Sequence, residues 1–124
     1  MRMMPDWGSY CEFRDEFRDA LDERYWPLDW LDCRILDGRA EFMRSDNAAI
    51  VVELRQFPGG AKDVHGLIAA GAKDEIVGEL IPRAEAWGAA NGCLAGVVES
   101  REGWQRALKS SGYTVSQVCL RKEL

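Results

Sequence analysis

The stretch Ala49-Ile50-Val51-Val52-Glu53-Leu54-Arg55-Gln56-Phe57 constrains the fold more than any other part of the chain. Its β-branched residues suit a pleated, well-buried strand, and Ile50, Val52 and Leu54 share one face. Turn chemistry brackets it, with Ser45-Asp46-Asn47 before and Pro58-Gly59-Gly60 after. Shorter strand candidates flank those turns at residues 40–44 and 64–70. Three strands joined so closely predict an antiparallel meander.

On either side of the meander the apolar period is helical. Residues 9–23 put Phe13, Phe17, Ala20 and Leu21 on one face, and Ser9 followed by Glu12 predicts a capping box. Pro27 suits the first turn of a second helix carrying Leu28, Trp30, Leu31, Ile35 and Leu36, which Gly38 ends. Residues 74–91 place Ile76, Leu80, Ala84 and Trp87 on a stripe that Val77 and Ile81 widen, with Asn91-Gly92 as the C-cap. Pro82 within that stretch predicts a kink. A short strand at 94–99 and a helix at 101–110, with Trp104, Ala107 and Leu108 inward, lead to a last strand at 113–121. Its mixed faces suggest a bulge.

The order α–α–β–β–β–α–β–α–β predicts an α/β (α+β) domain. Its mixed central sheet would combine the antiparallel meander, a crossover helix and a parallel strand, with helices on both faces. No linker or repeat divides the 124 residues, so 1–124 reads as one domain, with an N-terminal helix within 1–26.

The net charge of −5 repels phosphate backbones and predicts no nucleic-acid binding. No apolar stretch approaches the ~20 residues that span a bilayer, and the first residues lack the apolar region of a secretory signal. A cytoplasmic protein without a membrane partner is therefore expected. Four scattered cysteines without a CxxC pair, together with the one histidine, His65, predict no metal site. The cysteines are expected to be reduced and mostly buried.

The last part of the chain carries a family likeness. Ala84-Glu85-Ala86-Trp87 precedes Asn91-Gly92; then come the strand Leu94-Ala95-Gly96-Val97-Val98-Glu99, the helix around Trp104, and Gly112-Tyr113 before the terminal strand. With the element order, this ending resembles the GNAT acyltransferase fold over about Leu28 to Leu124. The Gly-Trp-x-x-Ala-Leu helix before Gly-Tyr is also similar to short GNAT-like proteins of tailed bacteriophages and prophages, which would place the chain in a host cytoplasm.

The resemblance implies an acyl-CoA cofactor such as acetyl-CoA. The family grips its pyrophosphate with a Gln/Arg-x-x-Gly-x-Gly/Ala turn at a helix start, where free N–H groups and the helix dipole favour anions. Here the three defining positions fall on Ala70, Lys73 and Glu75, and none matches; Gly71 is out of register by two residues. Ala70, Gly71, Ala72 and Lys73 are what remain as the cofactor-binding candidates, in a degenerate loop. Asp74 and Glu75 stabilise the helix start by ~0.3–1 kcal/mol each and occupy the field an anion would use, which Lys73 partly offsets. The family's proton-donating tyrosine corresponds to Leu108, which has no proton to give, and Tyr113 is expected to pack.

Two strand carboxylates, Glu53 and Glu99, are the candidate catalytic bases, because a carboxylate near an open sheet edge can have a raised pKa. The ordinary alternative for each is a solvated outer face. His65 is expected to be a partly exposed surface histidine. Tyr25, Trp26 and Trp30 are expected to pack between the first two helices, with an exposed interface as the alternative. Three functions follow: a non-catalytic GNAT-like domain acting through protein contacts with a partner or as a homodimer, an N-acyltransferase with an atypical phosphate loop, and a small-ligand binding protein.

Overall fold

A computed structural model describes residues 6–100 and 103–124. Arg101 and Glu102, with which the helix expected at 101–110 begins, and Met1–Pro5 lie outside them. In chain order the elements are α1 (Trp7–Ala20), α2 (Leu28–Leu36), β1 (Glu41–Arg44), β2 (Ala48–Gln56) and β3 (Lys62–Gly71). A helix follows in three parts, α3 (Lys73–Glu75), a π-segment (Ile76–Leu80) and α4 (Ile81–Ala90), then β4 (Ala95–Val98) and α5 (Gly103–Lys109).

The sheet runs β1-β2-β3-β4. The first three strands form the expected antiparallel meander, and β4 lies parallel to β3 after the helical crossover. The mixed α/β sheet with helices on both faces is thus as the pattern predicts. Alternation along β2 divides the core in two. Ile50 and Val52 face Ile76, Leu80, Ile81, Ala84 and Leu108 from the crossover helix and α5. Ala49 and Val51 face Tyr10, Phe13, Phe17, Leu28, Leu31 and Ile35 from α1 and α2. Each fully buried aromatic or aliphatic side chain in these layers contributes about 1.5–3 kcal/mol.

Local details depart from the sequence reading in physically clear ways. Helix α1 starts two residues before Ser9; Asp6 is its N-cap, and the Asp6 carboxylate accepts from the Ser9 N–H at 3.2 Å. Glu12 therefore completes no capping box and instead pairs with Arg44. Pro27 is the N-cap of α2 rather than a first-turn residue.

Pro82 produces a π-segment. It has no N–H for the carbonyl of Gly78, and its ring would press on that carbonyl. The preceding turn widens, and the Ile81 N–H donates to the Ile76 carbonyl five residues back.

The expected strand at 113–121 does not form. Residues 113–124 make no ladder, because the start of the segment is held by the helical layer. The Tyr113 N–H closes α5 on the Leu108 carbonyl at 3.3 Å, and its hydroxyl bonds to Glu85 of α4.

Two side-chain expectations are also corrected. Cys11, Cys33 and Cys119 are exposed and only Cys93 is half-buried. Trp30 packs against the α1–α2 layer, whereas Tyr25 and Trp26 stand about half exposed on the α1–α2 connection.

Candidate functional site

The parallel pairing of β3 and β4 covers only four rungs, from Asp63 opposite Ala95 to Gly66 opposite Val98. Past Gly66 the two strands part. The β2–β3 register shifts there, Val52 opposing Gly66 while Val51 opposes Ile68, so Leu67 is an extra residue that bends β3. Strand β3 runs on to Gly71 while β4 stops at Val98. The split opens a cleft of about 610 Å³, a size suited to a small molecule.

Apolar side chains of both layers form its walls, and four carboxylates line it: Glu16 and Asp19 of α1, Glu85 of α4 and Glu99 after β4. Trp104 and Tyr113 add aromatic surface. Among the described residues lining the cleft there is no lysine or arginine. Tyr113 reaches inward so far that a Cβ on Gly96 would lie 2.9 Å from its hydroxyl. That hydroxyl donates to Glu85 Oε2 at 2.9 Å. Burial, and then the Glu85 carboxylate, raise the Tyr113 pKa, so the phenol keeps its proton.

Of the two nominated bases, only Glu99 reaches the cleft; its side chain is 73 % exposed. Glu53 is buried on the α2 side of the sheet, where Arg34 Nη2 donates to one carboxylate oxygen at 2.5 Å and Arg55 Nε to the other at 2.8 Å. Arg55 joins the two acids, approaching Glu99 at 3.4 Å. Glu53 is thus buried and ion-paired where a solvated outer face is the ordinary alternative, whereas Glu99 is largely exposed.

His65 is buried too, at 6 % exposure, and so is not a surface histidine. Strand alternation places it beside Glu53 rather than outward. Its Nδ1 lies 3.9 Å from Glu99, and its Nε2 has no partner. Burial, and then the charge of Arg55, lower its pKa.

The loop before the crossover helix is built around Asn47. Gly71 has a φ of +95°, and the Ala72 N–H donates to the Asn47 carbonyl at 2.9 Å. Glu75 accepts from the Asn47 N–H and its side-chain amide, both at 3.0 Å; a hydrogen bond from Ser45, and then these two, lower its pKa. The Lys73 ammonium sits 5.1 Å above the Trp104 ring. Of the four loop candidates, Ala70 and Gly71 line the cleft; Ala72 and Lys73 do not.

Sequence reasoning did not single out Glu16, Asp19, Glu85 or Trp104 for this site. Glu85 adjoins core Ala84 in a stretch read for its apolar stripe and its family likeness, and the exposed face of an amphipathic helix carries no mark of what lies opposite. Gly96 inside a strand is the one usable signal, since it marks a close approach.

No protein-family model matches the sequence, and no curated protein sequence matches it significantly. Solved structures match by shape. A predicted acetyltransferase from Clostridium acetobutylicum, solved with acetyl-CoA, superposes with a TM-score of 0.69 at 7% identity over 93% of this chain and 90% of its own. Glucosamine-6-phosphate N-acetyltransferase from Arabidopsis thaliana gives 0.68 at 9% identity over 98% and 95%. A transcriptional regulator from Bacillus halodurans gives 0.71 at 12% identity over 98% and 97%. The chain therefore has the GNAT acetyltransferase fold. At these identities the likeness is one of fold, which hosts more than one function.

Proposed function

We propose that this GNAT-fold chain binds a cationic, amine-bearing small molecule in the β3–β4 cleft, without gripping a pyrophosphate at the start of the crossover helix. The observation that carries this reading is the lining: four carboxylates, two aromatic rings and no basic side chain among the described residues. Such a cleft concentrates cations and repels phosphates. An ammonium on a hydrocarbon stem would find carboxylate partners at the rim, aromatic faces beside them and apolar walls within. The helix start fits an anion poorly: the Ala72 N–H is engaged by Asn47, and Asp74 and Glu75 bring negative charge.

Tyr113 supports a second reading, an N-acyltransferase whose acceptor is that amine. Glu99 would take the amine's proton and the protonated Tyr113 phenol would serve a departing thiolate. Acyl-CoA would then lie along the β3 edge beyond Gly66, where β4 no longer pairs.

Thermal melts separate the readings. Spermidine is expected to raise Tm at low salt, less so at high salt, and less in Glu99→Gln, while about 1 mM acetyl-CoA leaves Tm unchanged. A rise with acetyl-CoA, with thiol release when both compounds are present, selects the acyltransferase. No response to either compound overturns both.

A further inference from the structure

His65 is the one histidine of the chain, and it lies outside the cleft lining. Its neighbour Val64 packs under the crossover helix, so strand alternation turns His65 to the opposite face of the sheet. There it opposes Glu53 of β2 and Val97 of β4 in register, with the Phe57 ring 6.5 Å away.

A fixed cation and this titratable ring meet at Glu99. Arg55 Nη1 lies 3.4 Å from Glu99 Oε1, and His65 Nδ1 lies 3.9 Å from the same oxygen. Arg55 is held in turn by Glu53, whose other oxygen accepts from Arg34. Glu99 is thus the outermost member of a row of charges that starts at α2 and ends in the cleft lining. Arg55 keeps its charge, so its pull on Glu99 is constant. The pull of His65 is not. A neutral ring with its proton on Nδ1 faces Glu99 and spares the buried Nε2 an unmet donor; a second proton puts a full positive charge beside Oε1.

We propose that His65 is a proton-linked positioning residue for the cleft: on gaining a proton it holds the Glu99 carboxylate at the sheet face, and a cationic ligand loses that partner. The inference rests on the reading that Glu99 meets the ligand's ammonium. A proton on His65 and a cation in the cleft share one carboxylate, so each weakens the hold of the other. The remaining charged groups facing His65 are Arg55 and Glu53 from β2 and Asp63 from β3, with Arg34 of α2 behind Glu53. None of these lines the cleft, so Glu99 alone connects the ring with a ligand. Burial and Arg55 oppose the proton while Glu99, Asp63 and Glu53 favour it, which places the change below the ordinary value of 6.5. Cation binding is therefore strongest above that pH and weakens as the ring protonates.

A single histidine gives a single set of imidazole signals, so nuclear magnetic resonance follows its titration directly. Saturating spermidine should move the His65 midpoint to lower pH. Glu99→Gln should move it the same way without ligand, and spermidine should then add little. By calorimetry at constant salt, spermidine affinity should fall about two- to threefold from pH 7.5 to pH 5.5 beyond any fall in His65→Leu. His65→Leu keeps every other titrating group, so the difference between the two profiles belongs to His65. Spermidine that binds while the His65 midpoint stays in place overturns the inference and leaves the cleft reading standing. So does a midpoint unmoved in Glu99→Gln, a ring that stays neutral down to about pH 5, or a parent profile parallel to that of His65→Leu. A chain that binds no spermidine at neutral pH loses the reading and this inference together.

Discussion

Glu53 and His65 sit opposite one another in the β2–β3 register, and each is 6 % exposed. Only the carboxylate is well partnered. Arg34 and Arg55 take one oxygen each, while His65 meets Glu99 at 3.9 Å through one nitrogen and nothing through the other. One sheet face thus holds a buried acid with two cations, beside a buried base that is poorly placed to accept a proton.

Substitution Glu53→Gln should therefore act on stability. It leaves Arg34 against the sheet without its counter-charge, and the Arg34 side chain is only 25 % exposed. Breaking a fully buried pair costs about 3–5 kcal/mol; the solvent left to Arg34 and Arg55 reduces this to roughly 2–3 kcal/mol. Urea denaturation checks the value. Because Glu53 lies outside the cleft lining, folded Glu53→Gln should keep the parent's response to spermidine. A lost response with unchanged stability would give Glu53 a direct role in binding.

His65 should make the fold acid-sensitive. Its ordinary pKa of 6.5 is lowered in the folded chain by burial and by Arg55, against the opposing pull of Glu99, Asp63 and Glu53. The folded state binds fewer protons than the unfolded chain, so stability is full above about pH 6.5 and declines as pH falls toward the depressed value. His65→Leu removes both the titration and the unpaired Nε2. It should be as stable as the parent or more so near neutrality, with a shallower loss between pH 7 and pH 5. Parallel stability–pH curves for parent and variant would contradict this.

Gly71 is fixed by its surroundings. At a φ of +95° an added Cβ would stand 2.2 Å from the Asn47 carbonyl oxygen and 2.7 Å from the Ala48 Cα, both backbone atoms that cannot swing aside. Gly71→Ala should cost about 2–4 kcal/mol and loosen the β1–β2 turn from the crossover helix. Gly59→Ala, with nothing within 4 Å of its Cβ, should stay within about 0.5 kcal/mol of the parent. Equal effects of the two would mean that the turn shifts freely.

These residues also show where the sequence is informative. Period and turn chemistry define the meander, the crossover and the two faces of β2, because burial acts on every second residue of a strand and every third or fourth of a helix. Gly71 is visible as a glycine near a helix start, but its partner Asn47 lies 24 positions earlier, and only the fold unites them. Glu53 and His65 look like outward-facing polar residues in strands, because sequence alternation does not reveal that α2 supplies Arg34 to that face. Pro82 announces an irregular helix without specifying a π-turn. The terminal segment has strand composition but no strand, since a ladder needs a neighbour that composition does not name.

The cleft wall offers a test of geometry at a single contact. The Tyr113 hydroxyl lies where a side chain on Gly96 would begin, and it donates to Glu85 at 2.9 Å. Gly96→Ala should push the ring aside and stretch that bond, while Tyr113→Phe should lose the bond and relieve the crowding. Each change alone should cost about 1 kcal/mol, a typical value for one charged-acceptor bond at a half-buried site. Together they should cost less than the sum, because once the hydroxyl is gone the new methyl has nothing to displace. A coupling of roughly 0.5–1 kcal/mol in a double-mutant cycle, measured by urea denaturation, is the expected result. Strict additivity would mean that Gly96 and Tyr113 do not meet, and the inward placement of the phenol, with the second reading built on it, would fall.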